Sequence, residues 1–336
     1  MVKTQIIGCG ASQLLKLPPW LSPKARGRQA GARTIATVKH TYFFQLVGLS
    51  ALWGAAFLFI RVASPPLGPW VLAGIRVVMA TATLGLLMWL LRQHWPWRRW
   101  RDLLRLGALA VAIPFLLYAW AALQLPAGYL ALLNTTAVLF ASLAAAWLGD
   151  DRLTRTKLLG CALGFVGVAL IVRLGPIEPT AERLGAALAC LLAAACYGAS
   201  TPLMKRATRH SEPLAIAMGM NVAAGVLLLP GTVWAWPQAR FNTVALAATA
   251  MLGVFSSGLA GWMHLRIMRH VSPVAAVSPA FMIPVFGVTW GHLVLGEPLG
   301  TGLVAGGLLV LLATALVTGF NPVARLMAAD AAGPKP

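Results

Sequence analysis

A single arginine lies deep inside a long apolar stretch of the chain, and the chemistry open to it is the binding of an anion. Arg76 stands within the apolar residues 68–91. A charged side chain inside a membrane segment is costly, and it indicates a functional site by default. Its guanidinium would bind a carboxylate or a phosphate through paired hydrogen bonds. The structural alternative is that Arg76 caps helix carbonyls or extends its long side chain to the membrane surface.

No carboxylate occupies a comparable position. The eight acids fall in predicted loops or at predicted helix ends. A proton-driven carrier usually has a carboxylate at mid-membrane, so facilitated diffusion, exchange or coupling through a histidine are favoured instead. His292 and His264 lie in apolar stretches and are candidates for that coupling, because imidazole titrates near neutral pH. The alternative for both is a hydrogen bond to the backbone of a neighbouring helix.

Aromatic and amide side chains on several apolar stretches predict a cavity that suits planar or amphipathic solutes. Asn134 is a candidate ligand, although an interhelical hydrogen bond is the simpler interpretation for it and for Asn221. For the aromatic residues the alternative is a belt at the membrane surface. The predicted cavity residues are Trp53, Arg76, Tyr118, Asn134, Tyr197, Trp290 and His292.

Four charged residues are predicted at helix ends, where they cap helices or take part in gating. Glu297 precedes Pro298, a pattern typical of a helix start, so its carboxylate is expected to face the positive end of the last helix. Asp151 is expected to do the same for the fifth helix. Arg61 is predicted at the outer end of the first helix and Lys205 at the inner end of the sixth.

Composition indicates that membrane-spanning helices position these residues. The chain of 336 residues is 59% hydrophobic and 10% charged, whereas soluble domains carry about 25% charged residues. The net charge of +19 lies in short clusters between apolar stretches, which is typical of membrane loops and excludes a nucleic-acid-binding surface. Segments of about 20 apolar residues are predicted at 42–62, 68–91, 103–121, 126–148, 157–174, 184–204, 213–235, 243–264, 271–295 and 299–320.

The distribution of Lys and Arg predicts the orientation. Loops after the second, fourth, sixth and eighth segments hold thirteen Lys and Arg residues, and the other loops hold four. Because positive loops remain on the cytoplasmic side, both termini are predicted to be cytoplasmic.

Two sets of spacings recur along the chain and predict an internal repeat. The first set recurs at an offset of 144 residues and the second at 146. Five helices per repeat is an odd number, so the two repeats insert in opposite directions, which is the architecture of alternating-access carriers. The matched residues are Trp53, Gly54, Arg61 and Pro69 with Tyr197, Gly198, Lys205 and Pro213, and then Asp151, Leu153 and Gly160 with Glu297, Leu299 and Gly306.

These motifs resemble the EamA family of the drug/metabolite transporter superfamily over residues 42–320. The resemblance is carried by Trp53-Gly54 with Arg61, by Arg76, and by Pro284-Val285-Phe286 leading to residues 295–299, with residues 148–153 as the first-half counterpart. It implies a ten-helix inner-membrane carrier, often an exporter of amino acids, other metabolites or drugs. It also implies a cavity lined mainly by helices 1, 3, 4, 6, 8 and 9. Ala137 and Val138 stand where the family usually has proline in helix 4, and the first-half acid is Asp.

The predicted domains are two five-helix repeats between two tails. A basic, acid-free tail at 1–40 is predicted to be disordered, with an organellar transit peptide or a start near Val38 as alternatives. The first repeat is predicted at 41–174, the second at 184–320, and a cytoplasmic tail at 321–336. Gly160 and Gly164, like Gly302 and Gly306, make GxxxG spacings, which predict close internal packing or, alternatively, a homodimer.

No cofactor or metal site is predicted, since the four cysteines form no CxxC pair. The predicted partners are a small-molecule solute and membrane lipid, and no nucleic acid. The first functional hypothesis is therefore a carrier, most simply an exporter. A membrane-embedded enzyme acting on a lipid-type substrate is the alternative, but Asp150-Asp151 is the single pair of adjacent acids. A receptor would require a longer polar block than this chain has.

Overall fold

The computed structural model describes residues 40–93, 95, 99–149, 154–174, 178, 180–268 and 279–318. The predicted tail at 1–40 lies outside them except for His40, with which the first helix begins. Asp151 and the predicted tail at 321–336 also lie outside the described residues.

Every regular element in the described part of the chain is helical, as the apolar composition predicts. A π-helical segment, Ala108–Ala112, joins α2 to α3, and a second, Met251–Leu259, joins α9 to α10. The helices are α1 (His40–Leu90), α2 (Trp100–Gly107), α3 (Ile113–Ala121), α4 (Ala127–Asn134), α5 (Ala137–Trp147), α6 (Arg155–Leu174), α7 (Ala181–Ala207), α8 (Pro213–Ala235), α9 (Thr243–Ala250), α10 (Ala260–Met268), α11 (Pro279–Leu295) and α12 (Thr301–Thr318).

Helix α1 covers two of the predicted segments, because the expected loop between them is only a break in the helix. Its 51 residues would extend about 77 Å if straight, more than twice the ~30 Å apolar core of a bilayer. Gly68 interrupts it with φ 73° and ψ 158°, next to Pro65, Pro66 and Pro69. This break divides α1 into a first arm, residues 40–67, and a second arm, residues 69–90.

Several helical stretches in the described residues are long and apolar enough to cross a membrane. Six such stretches are Phe44–Leu90, Trp100–Ala121, Ala127–Trp147, Ala181–Ala207, Pro213–Gln238 and Thr243–Met268. Two shorter apolar helices, Met282–Leu295 and Thr301–Val317, follow them. The fold is therefore all-helical and of membrane type.

Close helix contacts recur at matching positions in the two halves of the chain. A Cβ built on Gly54 would lie 2.6 Å from the Cβ of Phe286, and one built on Gly198 would lie 2.5 Å from the Cβ of Phe140. Gly54 and Gly198 are 144 positions apart, and Phe140 and Phe286 are 146 apart. The first arm of α1 thus packs on α11 in the same way as α7 packs on α5.

Glycines at matching positions of the two halves also bring α6 and α12 into close contact. A Cβ on Gly160 would meet Val317, and a Cβ on Gly306 would meet Ile171, each at 2.7 Å. These glycines therefore serve packing between helices of one chain, as the first interpretation of the GxxxG spacings predicts.

Candidate functional site

Arg76 lies inside the helical bundle, on the second arm of α1. Its side chain is 7% exposed, so the alternative in which it extends to the membrane surface is wrong. Its Nε donates a hydrogen bond to the Ser257 Oγ at 2.7 Å, and its Cζ lies 3.5 Å from the centroid of the Phe115 ring. Among the described residues, no acceptor forms a hydrogen bond with its two terminal Nη groups, and no carboxylate forms an ion pair with it.

The close approach of two helices determines this geometry. A Cβ on Gly253, in the second π-helical segment, would lie 2.8 Å from the Arg76 carbonyl oxygen and 2.5 Å from the Met79 Cβ. Since glycine permits that contact, Ser257, one turn further along, reaches the guanidinium. Gly107 makes the equivalent approach to α8, with a Cβ 2.7 Å from the Met220 carbonyl oxygen. Short π-helical segments are frequent at functional sites, and here one of them supplies the partner of Arg76.

Aromatic rings continue the site from Phe115 into the bundle. Tyr118, on the same face of α3, is 2% exposed and donates a hydrogen bond to the Asn134 Oδ1 at 2.9 Å. Its ring stacks on that of Tyr197 at a centroid separation of 6.1 Å, and the Phe57 ring meets it edge-on at 5.5 Å. Tyr197 is also close enough to Arg76 for an electrostatic interaction.

Trp53 lies on the other side of the serine pair. Its Nε1 donates a hydrogen bond to the Ser256 carbonyl at 3.1 Å, and its ring lies edge-on to that of His264 at 4.9 Å. Ser256 and Ser257 therefore connect Trp53 with Arg76 through adjacent backbone positions. We call this set the central cluster; it comprises Trp53, Phe57, Arg76, Phe115, Tyr118, Asn134, Tyr197, Ser256, Ser257 and His264.

Two other residues predicted to line the cavity, His292 and Trp290, are on α11. His292 is exposed near the end of α11, and its Nδ1 is 2.9 Å from the Glu297 carbonyl oxygen, so its place in a substrate cavity stays a prediction. Trp290 is half-buried on α11, and the described residues provide no hydrogen-bond acceptor for its buried Nε1.

The predicted basic residues at helix ends differ in what they contact. Arg61 donates hydrogen bonds to the carbonyls of Ala122 and Leu123, which follow α3, so it caps the C-terminal end of that helix. Lys205 is exposed in the last turn of α7. Its neighbour Arg206 instead donates a hydrogen bond to the Leu148 carbonyl at 3.4 Å, just after α5.

Glu297 caps a helix, but a different one from that predicted. The backbone N–H of Ala127 donates a hydrogen bond to its Oε1 at 2.6 Å, and that of Gly128 donates to its Oε2 at 3.0 Å. Both belong to the first turn of α4, so the expectation that Glu297 faces the start of α12 is wrong. Gly296, at φ 65°, ends α11 and turns the chain, and Gly291 leaves room for the carboxylate where a Cβ would collide with it.

The helices described above match a known family along nearly their whole length. The model of the EamA-like transporter family matches twice, at residues 41–173 and 184–319. The chain belongs to the EamA-like transporter family. This confirms the resemblance inferred from the motifs, and the reciprocal glycine contacts described above join one matched copy to the other.

Relatives in the EamA family are named as transporters. YedA, an uncharacterized inner membrane transporter of Escherichia coli K12, is 28% identical over 262 residues, which are 76% of this chain and 84% of that protein. A probable terminal-alkyne amino-acid exporter of Streptantibioticus cattleyicolor is 27% identical over 261 residues, or 76% of this chain and 86% of that protein. The chain is therefore an integral membrane transporter of the inner-membrane type and not an enzyme.

A solved crystal structure has the same fold. It aligns with a TM-score of 0.62 at 18% identity and covers 84% of this chain and 99% of that one. At this identity the likeness concerns the EamA-type fold alone.

The central cluster contains residues that the sequence analysis did not single out, namely Phe57, Phe115, Ser256 and Ser257. The serine pair carried a usable signal, because two adjacent hydroxyls interrupt an apolar helix and polar residues in such helices hydrogen-bond to neighbouring helices. The two phenylalanines carried none, since phenylalanine is ordinary in any apolar helix of an EamA protein.

Replacing Glu297 with glutamine is expected to lower the free energy of unfolding by about 1–2 kcal/mol. An amide keeps the shape, but it loses the negative charge at the α4 N-terminus and places an N–H₂ group where a carboxylate oxygen accepted a hydrogen bond. Thermal unfolding of the detergent-purified protein measures the effect. The matched control is Glu182→Gln, which removes an exposed acid from the first turn of α7; equal effects of the two changes would contradict a capping role specific to Glu297.

Proposed function

We propose that this transporter is an alternating-access carrier that exports a small solute with an anionic group and an apolar body. The observation that carries the proposal is the environment of Arg76. A buried guanidinium is stable only when its charge and its hydrogen-bond donors are satisfied. Among the residues that the structure describes, Ser257 occupies only its Nε, which leaves the two Nη groups for the anion of a solute.

The rest of the central cluster suits the apolar body of such a solute. Phe115 lies on the guanidinium of Arg76, and the rings of Phe57, Tyr118 and Tyr197 pack on one another along the same site. Asn134 accepts a hydrogen bond from the Tyr118 hydroxyl through its Oδ1. No acceptor in the described part of the chain binds its amide N–H₂, which would donate to a solute. This combination favours a small apolar carboxylate, such as an apolar amino acid. The relative named as an amino-acid exporter supports both that class and the outward direction.

The mechanism we propose uses two inverted repeats of five helices, with ten spans and both termini in the cytoplasm. The matching helix contacts made by Gly54 and Gly198, and those made by Gly160 and Gly306, support an approximate two-fold relation between the halves. The odd number of helices per repeat and the distribution of Lys and Arg support the opposite orientation of the halves. The central cluster draws on both halves, so a rocking of one against the other exposes Arg76 to each side in turn.

Purified protein in liposomes is expected to exchange apolar L-amino acids across the membrane with saturable kinetics. Vesicles loaded with unlabelled L-leucine or L-phenylalanine are placed in the same amino acid in labelled form, and uptake is compared with that of vesicles that contain no protein. Nucleosides and a cationic dye are the comparison solutes, because a cation gains nothing from Arg76. Transport of the dye without transport of any carboxylate would contradict an anion site at Arg76, whatever the direction of flux.

A further inference from the structure

The contact between α10 and the first arm of α1 encloses polar atoms that have no partner. Leu46 and Leu49 of the arm pack against Ala260 and Ile267 of α10, and the Trp53 ring lies edge-on to that of His264. Within the described residues, the buried His264 Nδ1 and Ser256 Oγ make no hydrogen bond. Each such group costs about 1–3 kcal/mol in a closed interior, and in a native structure it requires an explanation.

The enclosure decides which ligand these atoms could take. Neither the His264 Nδ1 nor the Ser256 Oγ retains accessible surface, so a solute cannot reach them in this conformation. A proton requires no cavity, and imidazole is the side chain that binds one near neutral pH. We propose that His264 is a proton-binding site whose occupancy opens the contact between α10 and the first arm of α1.

Burial of the His264 Nδ1 opposes protonation of the ring in the closed contact. Elements packed against α10 are the first arm of α1, the second π-helical segment and α8. Among the described side chains, the arm contributes Arg61 as its one ionisable group, and the π-helical segment and α8 contribute none. Helix α10 itself carries Arg266, the second arm of α1 carries Arg76, and the acid beside these elements is Glu212, which precedes α8.

A cationic imidazole in this setting has its Nδ1 buried, and no carboxylate of the described residues pairs with it. The charged form therefore favours a conformation in which the contact is open and water reaches the ring. By linkage, the contact expels the proton when it closes and takes one up when it opens. On the orientation proposed above this end faces the cytoplasm, so cytoplasmic acidification opens it. The role in transport rests on the proposed carrier, but proton binding and opening need no solute.

Hydrogen–deuterium exchange of the full chain in lipid nanodiscs tests the proposal without any substrate. After correction for the intrinsic exchange rate, the equilibrium constant for opening of residues 260–268 is expected to increase about 3- to 10-fold from about pH 8 to about pH 5.5. This range fits the binding of one proton, which changes an equilibrium constant by at most about tenfold per pH unit. His264→Asn and His264→Gln, which retain a polar group, are expected to abolish this response. His292→Asn is the matched control and is expected to keep it, because His292 is exposed outside this contact.

The proposal is overturned if the wild-type chain shows no such increase, or if the increase persists in a folded His264 variant. Size-exclusion chromatography identifies the folded variants. If neither variant folds, a chain with ¹⁵N-labelled His264 as its sole histidine decides the question, since its ring signal must titrate together with the opening. Amino-acid transport in liposomes is measured separately. If the protein does not transport amino acids, the proton site is still tested by hydrogen–deuterium exchange and by the ring signal.

Discussion

Replacing Arg76 with alanine is expected to lower the rate of amino-acid exchange about 10- to 100-fold at nearly unchanged abundance in the membrane. A hydrogen bond to a charged group contributes about 1.5–3 kcal/mol, and each 1.4 kcal/mol is tenfold in affinity. The change removes the cation, while the Ser257 hydroxyl that it leaves behind can bond to its own helix. Initial exchange rates in liposomes, normalised to the reconstituted protein, give the effect.

Two further variants separate binding from folding. Arg76→Lys keeps the charge but loses the planar fork, so it is expected to retain transport between that of the wild type and that of Arg76→Ala. Arg101→Ala removes an exposed arginine beside Trp100 and is expected to leave the rate unchanged. If abundance falls together with transport in Arg76→Ala, the structural alternative for this arginine is correct and the anion site is not.

The sequence allowed the buried position of Arg76 to be predicted, but not its partners. A lone charge in an apolar segment points inward because lipid cannot solvate it. Its contact with Ser257 depends on the tertiary approach of a helix 181 positions away, and Gly253, which permits that approach, resembles any other helix glycine. Local pattern therefore identifies which residue needs a partner, whereas packing determines which partner it finds.

Glu297 illustrates how a local rule gives the wrong partner. An acid followed by proline is typical of a helix start, and this favoured a cap on α12. The positive φ of Gly296 turns the chain after α11, so the carboxylate meets the free N–H groups of α4 first. The chemistry of the prediction, a carboxylate at a helix N-terminus, still applies to the helix that the turn selects.

Replacing Gly54 or Gly198 with alanine is expected to lower the free energy of unfolding by about 1–3 kcal/mol, the usual cost of an extra methyl group in a packed interior. Each new Cβ would lie 2.5–2.6 Å from the Cβ of a phenylalanine and within 3.0 Å of backbone atoms, so a helix must move to admit it. Thermal unfolding in detergent measures both changes, and we expect similar losses because the two contacts are equivalent.

Gly48 and Gly261 serve as controls with the opposite expected sign. A Cβ on either would have no neighbour within 4 Å, so alanine there is expected to stabilise its helix by up to about 1 kcal/mol through its higher helix propensity. The signs distinguish a packing effect from a propensity effect, since all four changes are the same substitution in a helix. A large loss of unfolding free energy for Gly54→Ala with none for Gly198→Ala would mean that the two helix contacts between the halves are not equivalent. A carrier that rocks between two related states requires that equality, because the contact of α1 with α11 and that of α7 with α5 both join the two halves, and each must match the other.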